Sequence, residues 1–142
     1  MDSGQLDELG RIQGRENMNI QEVMDTELLT IAPETTLREA AQRMSGRNVG
    51  AALLLDAAIG SYLGIITERD LLNAIAAGHD PDTRRVADSA TSNIVTVSAD
   101  ASLEQAAEKM IKGGFRHLLV IASGDAIGIV SMRDLIVALV EQ

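Results

Sequence analysis

The sequence of 142 residues contains no cysteine and no tryptophan, and its only aromatic side chains are Tyr62 and Phe115. Without thiols the chain forms no disulfides and supports no thiolate chemistry. Two histidines without cysteine do not make a typical zinc site. The scarcity of aromatic rings also removes the stacking surfaces on which single-stranded nucleic acids are bound.

The charge and hydropathy patterns exclude further classes of protein. The net charge is −9, and such a surface repels nucleic acid and anionic lipid. No apolar run is long enough to span a membrane, and the polar N-terminus lacks the apolar segment of a signal peptide. Nucleotide-binding and hydrolase strings of the Walker A, G-x-G-x-x-G and G-x-S-x-G types are absent. We therefore expect a cytoplasmic protein with no membrane or nucleic-acid partner that is not an enzyme.

The chain does contain an internal duplication. The stretch TIAPETTLREAAQRM (30–44) matches TVSADASLEQAAEKM (96–110) without a gap, 66 positions later. The stretch GIITERDLL (64–72) recurs as GIVSMRDLI (128–136), 64 positions later. The difference of two residues is expected in the hairpin loop between these matches. Two copies are too few for a solenoid, so the duplication predicts a pseudo-symmetric pair.

Each copy has the pattern of a β-α-β-β-α unit. Apolar residues at 37, 40, 41 and 44 form one face of a helix, and their counterparts at 103, 106, 107 and 110 do the same. Capping boxes, T-x-x-E and S-x-x-Q, precede both helices. Short apolar runs predict buried strands at 51–55, 62–66, 117–121 and 126–130. The predicted fold class is mixed α/β (α+β), with a tail at 1–19, repeats at 20–77 and 86–142, and a linker at 78–85.

The repeated junction carries the residues best suited to binding. Thr67 with Asp70, and Ser131 with Asp134, have the S/T-x-x-D spacing of a capping box. A carboxylate in the first turn of a helix is also suited to accept hydrogen bonds from ribose hydroxyls, and free amides with a neighbouring arginine suit a phosphate. Each copy has such an arginine, and each has a glycine in the preceding strand that indicates close approach of another backbone or a ligand. The arginines are Arg69 and Arg133, and the glycines are Gly64 and Gly128. At this point the capping interpretation and the binding interpretation both remain open.

With these motifs and the phrase GGFRHLLVI, residues 20–140 resemble a tandem pair of CBS motifs, the Bateman module. The resemblance implies two motifs packed about a pseudo-two-fold axis, with clefts at their interface that bind an adenine nucleotide such as AMP, ADP or ATP as a regulatory ligand. It places Asp70 and Asp134 on the ribose, with Thr67 and Ser131 nearby. It also implies that backbone around Thr30–Ile31 and Thr96–Val97 lines the base pockets. No cofactor is expected to be required.

The resemblance further implies that phosphates reach cations on the opposite motif. The second repeat offers three candidate cations, Arg116, His117 and Arg133, and the first offers Arg69 alone. The Asp70 cleft is therefore expected to have more cations near the phosphates of its ligand. The alternative is that Arg116 is a solvated edge residue and His117 a structural one. Leu119 departs from the family pattern, in which proline is frequent.

The final helix is apolar almost all round, which predicts a homodimer. LIVALV (135–140) and its counterpart LLNAIAA (71–77) have more apolar positions than one buried face needs. We expect dimerisation through Leu71, Leu72, Ile75, Ile136, Leu139 and Val140. The alternative is a helix sandwiched within one chain, for example by the N-terminal tail. The chain is thus expected to be a regulatory module for an unidentified target protein, or else a dimeric scaffold with vestigial clefts or another ligand such as S-adenosylmethionine.

Overall fold

The computed structural model describes residues 18–141 and shows a mixed α/β fold, as the sequence predicts. The chain divides into two compact units. The first unit is Leu28–Ile94, and the second combines residues 18–27 with residues 95–141. Most of the predicted tail, 1–17, lies outside the described residues.

The first unit has the predicted β-α-β-β-α order. Its sheet has the strand order β1-β2-β3, in which β1 runs parallel to β2 and β2 antiparallel to β3. Two helices accompany this sheet in the described part of the unit. The elements are β1 (Thr30–Ile31), α1 (Leu37–Arg47), β2 (Ala51–Asp56), β3 (Ser61–Thr67) and α2 (Glu68–Ala76).

The second unit repeats this arrangement with strand order β4-β5-β6. Its hairpin loop has two residues, Ser123 and Gly124, whereas the loop between β2 and β3 has four. Both loop residues of the second unit have positive φ, as a tight type I′ hairpin turn requires. The two-residue offset between the repeats is therefore located in this loop, as predicted. The elements are β4 (Thr96–Ser98), α3 (Leu103–Gly113), β5 (His117–Ala122), β6 (Asp125–Ser131) and α4 (Met132–Val140).

Each unit has its own hydrophobic core. In the first, the inner face of α1 packs with the buried residues of β2 and β3 and with Val86. In the second, the inner face of α3 packs with β5, β6 and Ile20. Of the helix faces predicted from the 3.6-residue period, six residues are buried: Leu37, Ala40, Met44, Leu103, Ala106 and Met110. The remaining two predicted residues, Ala41 and Ala107, are half-buried.

The compact units differ from the sequence repeats, because the segment that leads each repeat packs in the unit formed mainly by the other repeat. Residues 18–27, which lead the first repeat, pack in the second unit, and residues 86–94, which lead the second repeat, pack in the first. The contacts are equivalent: Ile20 N donates to Ala101 O at 3.0 Å, and Val86 N donates to Thr35 O at 2.8 Å. Ile20 and Val86 are both fully buried. Each core is thus completed by a short segment that lies outside its own β-α-β-β-α run.

The exchanged segments explain the two strand glycines. A Cβ at Gly64 would lie 2.6 Å from Thr91 O, and a Cβ at Gly128 would lie 2.9 Å from Asp25 O. Both distances are shorter than a non-bonded contact permits, so only glycine fits. The close approach that the sequence indicates is therefore made by the exchanged segments, by backbone at Gly64 and by backbone together with Met24 Sδ, at 2.6 Å, at Gly128.

Candidate functional site

The first candidate site is built where β3 runs into α2. Thr67 is the N-cap of α2, and its hydroxyl accepts from Asp70 N at 3.2 Å. In return, Asp70 Oδ2 accepts from Thr67 N at 2.9 Å and from the Thr67 hydroxyl at 3.0 Å. The T-x-x-D sequence therefore forms a complete capping box, which fixes the carboxylate at the helix N-terminus. Both side chains remain partly exposed.

The second candidate site has the same construction at the start of α4. Ser131 caps the helix by accepting from Asp134 N at 3.0 Å, and Asp134 Oδ2 accepts from Ser131 N at 2.8 Å. Among the hydrogen bonds formed by residues 18–141, none engages Asp134 Oδ1. Asp134 itself is half-buried, so this oxygen at a helix N-terminus is available to accept from a ligand hydroxyl.

Thr91 contributes to the first site and was not predicted from the sequence. Its hydroxyl lies 3.5 Å from Asp70 Oδ1, at the long end of hydrogen bonding. Two backbone hydrogen bonds between Thr91 and Ile65, both 2.9 Å, hold it beside the end of β3. Nothing in the local sequence connects Thr91 with Asp70, because 21 positions separate them.

The predicted base-pocket residues lie at the outer edges of the sheets. Thr30 is on β1, which is hydrogen-bonded to β2 on one side only, and Thr96 has the same place on β4. Arg43 donates to the Thr30 carbonyl at 3.0 Å, and Lys109 donates to the Thr96 carbonyl at 2.5 Å. These two cations, which are 66 positions apart, were also missed by the sequence analysis. Ile31 and Val97 are buried.

The structure brings together some predicted residues and keeps others apart. In the first unit, β2 lies between Thr30 on β1 and Thr67 on β3, so two strand spacings, about 10 Å, separate them. A ligand that contacts both would have to span β2. Arg69 is exposed on the first turn of α2.

The candidate cations of the second repeat collect at one end of its sheet. His117 is the cross-strand partner of Ser131, and the Arg116 carbonyl accepts from Met132 N at 2.8 Å. Arg116 and Arg133 are exposed, and His117 is half-buried. At the corresponding place in the first unit, the Gly50 carbonyl accepts from Glu68 N at 2.9 Å. Gly50 and Ala51 stand there in place of Arg116 and His117, and Arg69 is the counterpart of Arg133.

A groove of about 560 Å³ lies elsewhere in the first unit, between α1 and α2. None of the predicted ligand residues lines it. Arg38 at its rim forms an ion pair with Asp82, and this hydrogen bond holds the pKa of the Asp82 carboxyl below its usual range. The lining is mostly apolar or small and consists of Leu37, Arg38, Ala41, Gln42, Ser45, Gly46, Leu71, Ile75 and Pro81.

Within residues 18–141, no three histidine or acidic side chains are grouped closely enough to hold a metal ion. In the same part of the chain, no helix is both long enough and apolar enough to cross a membrane.

The family model of the CBS domain matches residues 20–77 and 86–141, which correspond to the two repeats. The chain belongs to the CBS domain family. A CBS-domain-containing protein of Bacillus subtilis is 32% identical over 120 residues, covering 84% of each chain. A longer CBS-domain-containing protein of Arabidopsis thaliana is 37% identical over 105 residues, which are 73% of this chain and 19% of the plant protein.

Solved structures share the fold of this CBS pair. A CBS-domain-containing protein of Agrobacterium tumefaciens is 31% identical, with a TM-score of 0.80 over 89% of this chain and 96% of its own. A CBS domain protein of Pyrobaculum aerophilum, solved in complex with AMP, is 26% identical, with a TM-score of 0.74 over 88% of this chain and 100% of its own. The predicted tandem CBS pair is therefore confirmed, and the chain is a CBS-pair module of the regulatory class.

Proposed function

We propose that this protein is a non-catalytic regulatory module that binds an adenine nucleotide at its two hydroxyl–carboxylate junctions. The observation that carries the proposal is the second carboxylate oxygen of each junction. Asp134 Oδ1 has no hydrogen bond from the described residues, and Asp70 Oδ1 has only the long contact with Thr91. Each carboxylate is therefore held rigidly by one oxygen and presents the other to a ribose.

The similar protein of Pyrobaculum aerophilum supports the ligand class, because it was solved in complex with AMP. The other half of each proposed site is the sheet edge at Thr30–Ile31 or Thr96–Val97, where backbone groups would contact the base. The exposed arginines Arg69, Arg116 and Arg133 and the half-buried His117 would then serve the phosphates. We place this module in the cytoplasm, where ligand binding would shift its conformational equilibrium and so regulate a target protein.

A thermal-unfolding screen tests this function directly. Adenosine, AMP, ADP, ATP and S-adenosylmethionine would each be added to the full chain, with GMP as the control for base selectivity. A ligand present at 100 times its Kd stabilises the folded state by about 2.7 kcal/mol, which shifts the melting temperature by several degrees. The proposal requires such a shift with an adenine nucleotide and a smaller one with GMP. No shift with any adenine compound at millimolar concentration would refute it.

We also propose that the protein is a homodimer, because α2 and α4 both leave apolar side chains uncovered. On α4, Leu135 and Ala138 are buried, whereas Ile136 is 54% exposed and Val140 is 74% exposed. On α2, Leu72 and Ile75 are exposed in the same way, while Leu71 packs against the core of its own unit. The exposed apolar side chains are therefore among the residues of the proposed interface, and Leu71 differs because it packs mainly within its own unit.

A dimeric scaffold without nucleotide binding is the second candidate. The observations that favour it are the complete capping boxes, which account for the S/T-x-x-D residues by helix stability alone, and the uncovered apolar helices. The thermal screen distinguishes the two functions, because a scaffold of this kind would form dimers and respond to no nucleotide.

A further inference from the structure

The internal duplication pairs Asp25 of the second unit with Thr91 of the first, 66 positions apart. Thr91 exchanges two backbone hydrogen bonds with Ile65, two residues before the cap of α2. Asp25 exchanges the same two bonds, at 2.8 and 3.0 Å, with Ile129, two residues before the cap of α4. The backbone therefore holds residues 25 and 91 in equivalent places, each beside the first turn of the helix with the proposed ribose carboxylate.

The side chains at these equivalent places differ in charge and in hydrogen bonding: one is neutral and can donate, and the other is a carboxylate that only accepts. Thr91 brings a hydroxyl, a donor, to within 3.5 Å of Asp70 Oδ1. Asp25 occupies the equivalent backbone position and has a carboxylate where Thr91 has its hydroxyl, while Asp134 Oδ1 receives no donor from residues 18–141. Asp25 is half-buried, and its Oδ1 accepts from Glu27 N at 2.9 Å, which orients the side chain.

We propose that this one position tunes the phosphate preference of each site: Thr91 lets the Asp70 site bind a nucleotide tightly, and Asp25 makes the Asp134 site bind a nucleotide more weakly than the corresponding nucleoside. This inference rests on the proposed function. A ribose held by Asp134 carries its 5′ substituent on the same sugar ring. The backbone position of Asp25, equivalent to that of Thr91, brings its negative charge to this side of the ribose site, where a like-charged 5′-phosphate is repelled. It accepts from a ribose hydroxyl without penalty when the ligand is uncharged.

The arginines of the second unit do not remove this asymmetry. Arg116 and Arg133 are exposed, so solvent and salt weaken their attraction for a phosphate without abolishing it. Asp25 is half-buried and is fixed by the backbone. Substitutions at position 25 leave both arginines in place. The effect of these substitutions on binding therefore isolates the contribution of the Asp25 carboxylate.

The test is isothermal titration calorimetry of the full chain with adenosine and with AMP. Asp70→Ala leaves the Asp134 site to be measured alone, and Asp134→Ala leaves the Asp70 site alone. In the first background, Asp25→Asn removes the charge and keeps an oxygen for Glu27 N. In the second, Thr91→Asp adds a charge, and Thr91→Asn is the matched uncharged control. Thermal unfolding of every variant establishes that it is folded.

The measured quantity is the ratio of the AMP and adenosine affinities at each site. Asp25→Asn is expected to raise this ratio at the Asp134 site roughly tenfold, and Thr91→Asp to lower it at the Asp70 site by a similar factor relative to Thr91→Asn. Ratios that change less than about twofold in both backgrounds, with adenosine still bound, would overturn this inference and leave the proposed function intact. Failure of the unsubstituted protein to bind either compound would overturn both.

Discussion

Single residues at the helix starts have an observed capping role and a proposed binding role, which must be separated by experiment. Asp70 and Asp134 each close a capping box with one carboxylate oxygen and present the other outward. The capping role by itself explains the spacing of these residues, so the spacing is no evidence for the binding role. A variant therefore has to be compared with one that removes a cap and touches no proposed ligand contact.

The α3 helix supplies this control. Ser102 N donates to Gln105 Oε1 at 2.9 Å in a capping box of the same form, away from the junctions. Asp70→Ala is expected to lower the free energy of unfolding by about 1 kcal/mol and to weaken AMP binding by about 1.5–3 kcal/mol. Gln105→Ala should lower stability similarly and leave binding unchanged. Chemical denaturation and calorimetry measure the two effects. Equal AMP affinities in both variants would show that the Asp70 carboxylate caps α2 and does not contact the ligand.

The strand glycines give a second prediction at this scale. Gly64→Ala forces a Cβ to within 2.6 Å of Thr91 O and is expected to destabilise the fold by about 1–3 kcal/mol. Gly46→Ala is the matched control, because Gly46 lies inside α1 with no atom within 4 Å of the added Cβ. There the substitution should stabilise the protein by about 0.5–1 kcal/mol, since alanine is the better helix former. Urea denaturation that gave both variants the same sign would contradict the packing described here.

Among the elements, the short segments that cross between repeats have an importance out of proportion to their length. The 3₁₀ turns Ile20–Glu22 and Val86–Asp88 have three residues each, yet each places one fully buried side chain in a core. Each also donates a backbone hydrogen bond to the loop before a long helix. The segments therefore complete the cores in addition to connecting the repeats.

Truncation of Ile20 tests this role. Ile20→Ala is expected to cost about 2–5 kcal/mol of unfolding free energy, the range for large-to-small changes in a core. Ile111→Ala is the control, because Ile111 is 73% exposed on α3 and should change stability by about 0.5 kcal/mol at most. Both are measured by urea denaturation. A negligible effect of Ile20→Ala would mean that residues 18–27 do not belong to the second core in solution.

At the scale of the whole molecule, the uncovered faces of α2 and α4 predict association. The most exposed apolar side chains on these helices are Leu72 and Val140, and Ile75, Ile136 and Leu139 are about half exposed. Exposed apolar groups of this kind mark interaction sites, and pairing with a second copy covers the same surface on both chains.

Light scattering at micromolar concentration tests the dimer. The unsubstituted protein is expected at twice the chain mass of 15.1 kDa. The double variant Ile136→Glu, Leu139→Glu should shift it to the mass of one chain, because burying charges without partners is costly. Ile59→Glu, at a side chain 68% exposed in the β2–β3 hairpin loop, should leave the mass unchanged. A single-chain mass for the unsubstituted protein would refute the dimer, and a dimer that resists both charges would place its interface elsewhere.

The sequence by itself determined the duplication, the β-α-β-β-α order of each repeat, the buried helix faces and the helix starts. These features depend on hydrogen bonds and packing patterns that span three or four residues, and such patterns can be read directly from the order of side chains. The Thr67–Asp70 and Ser131–Asp134 pairs are of this kind. The same local origin explains why their capping and binding roles could not be separated from sequence.

Only the tertiary structure decided which segment completes which core, what approaches Gly64 and Gly128, and which residue lies beside each proposed ribose carboxylate. Ile20 meets Ala101, and Thr91 meets Asp70, across 81 and 21 positions of chain. Because the two repeats present the same backbone groups, each short segment could, as far as the sequence pattern shows, complete the core of either repeat. The path of the chain in three dimensions selects one of them, and it thereby puts the Thr91 hydroxyl beside Asp70 and pairs the backbone of Asp25 with the strand that leads to Asp134.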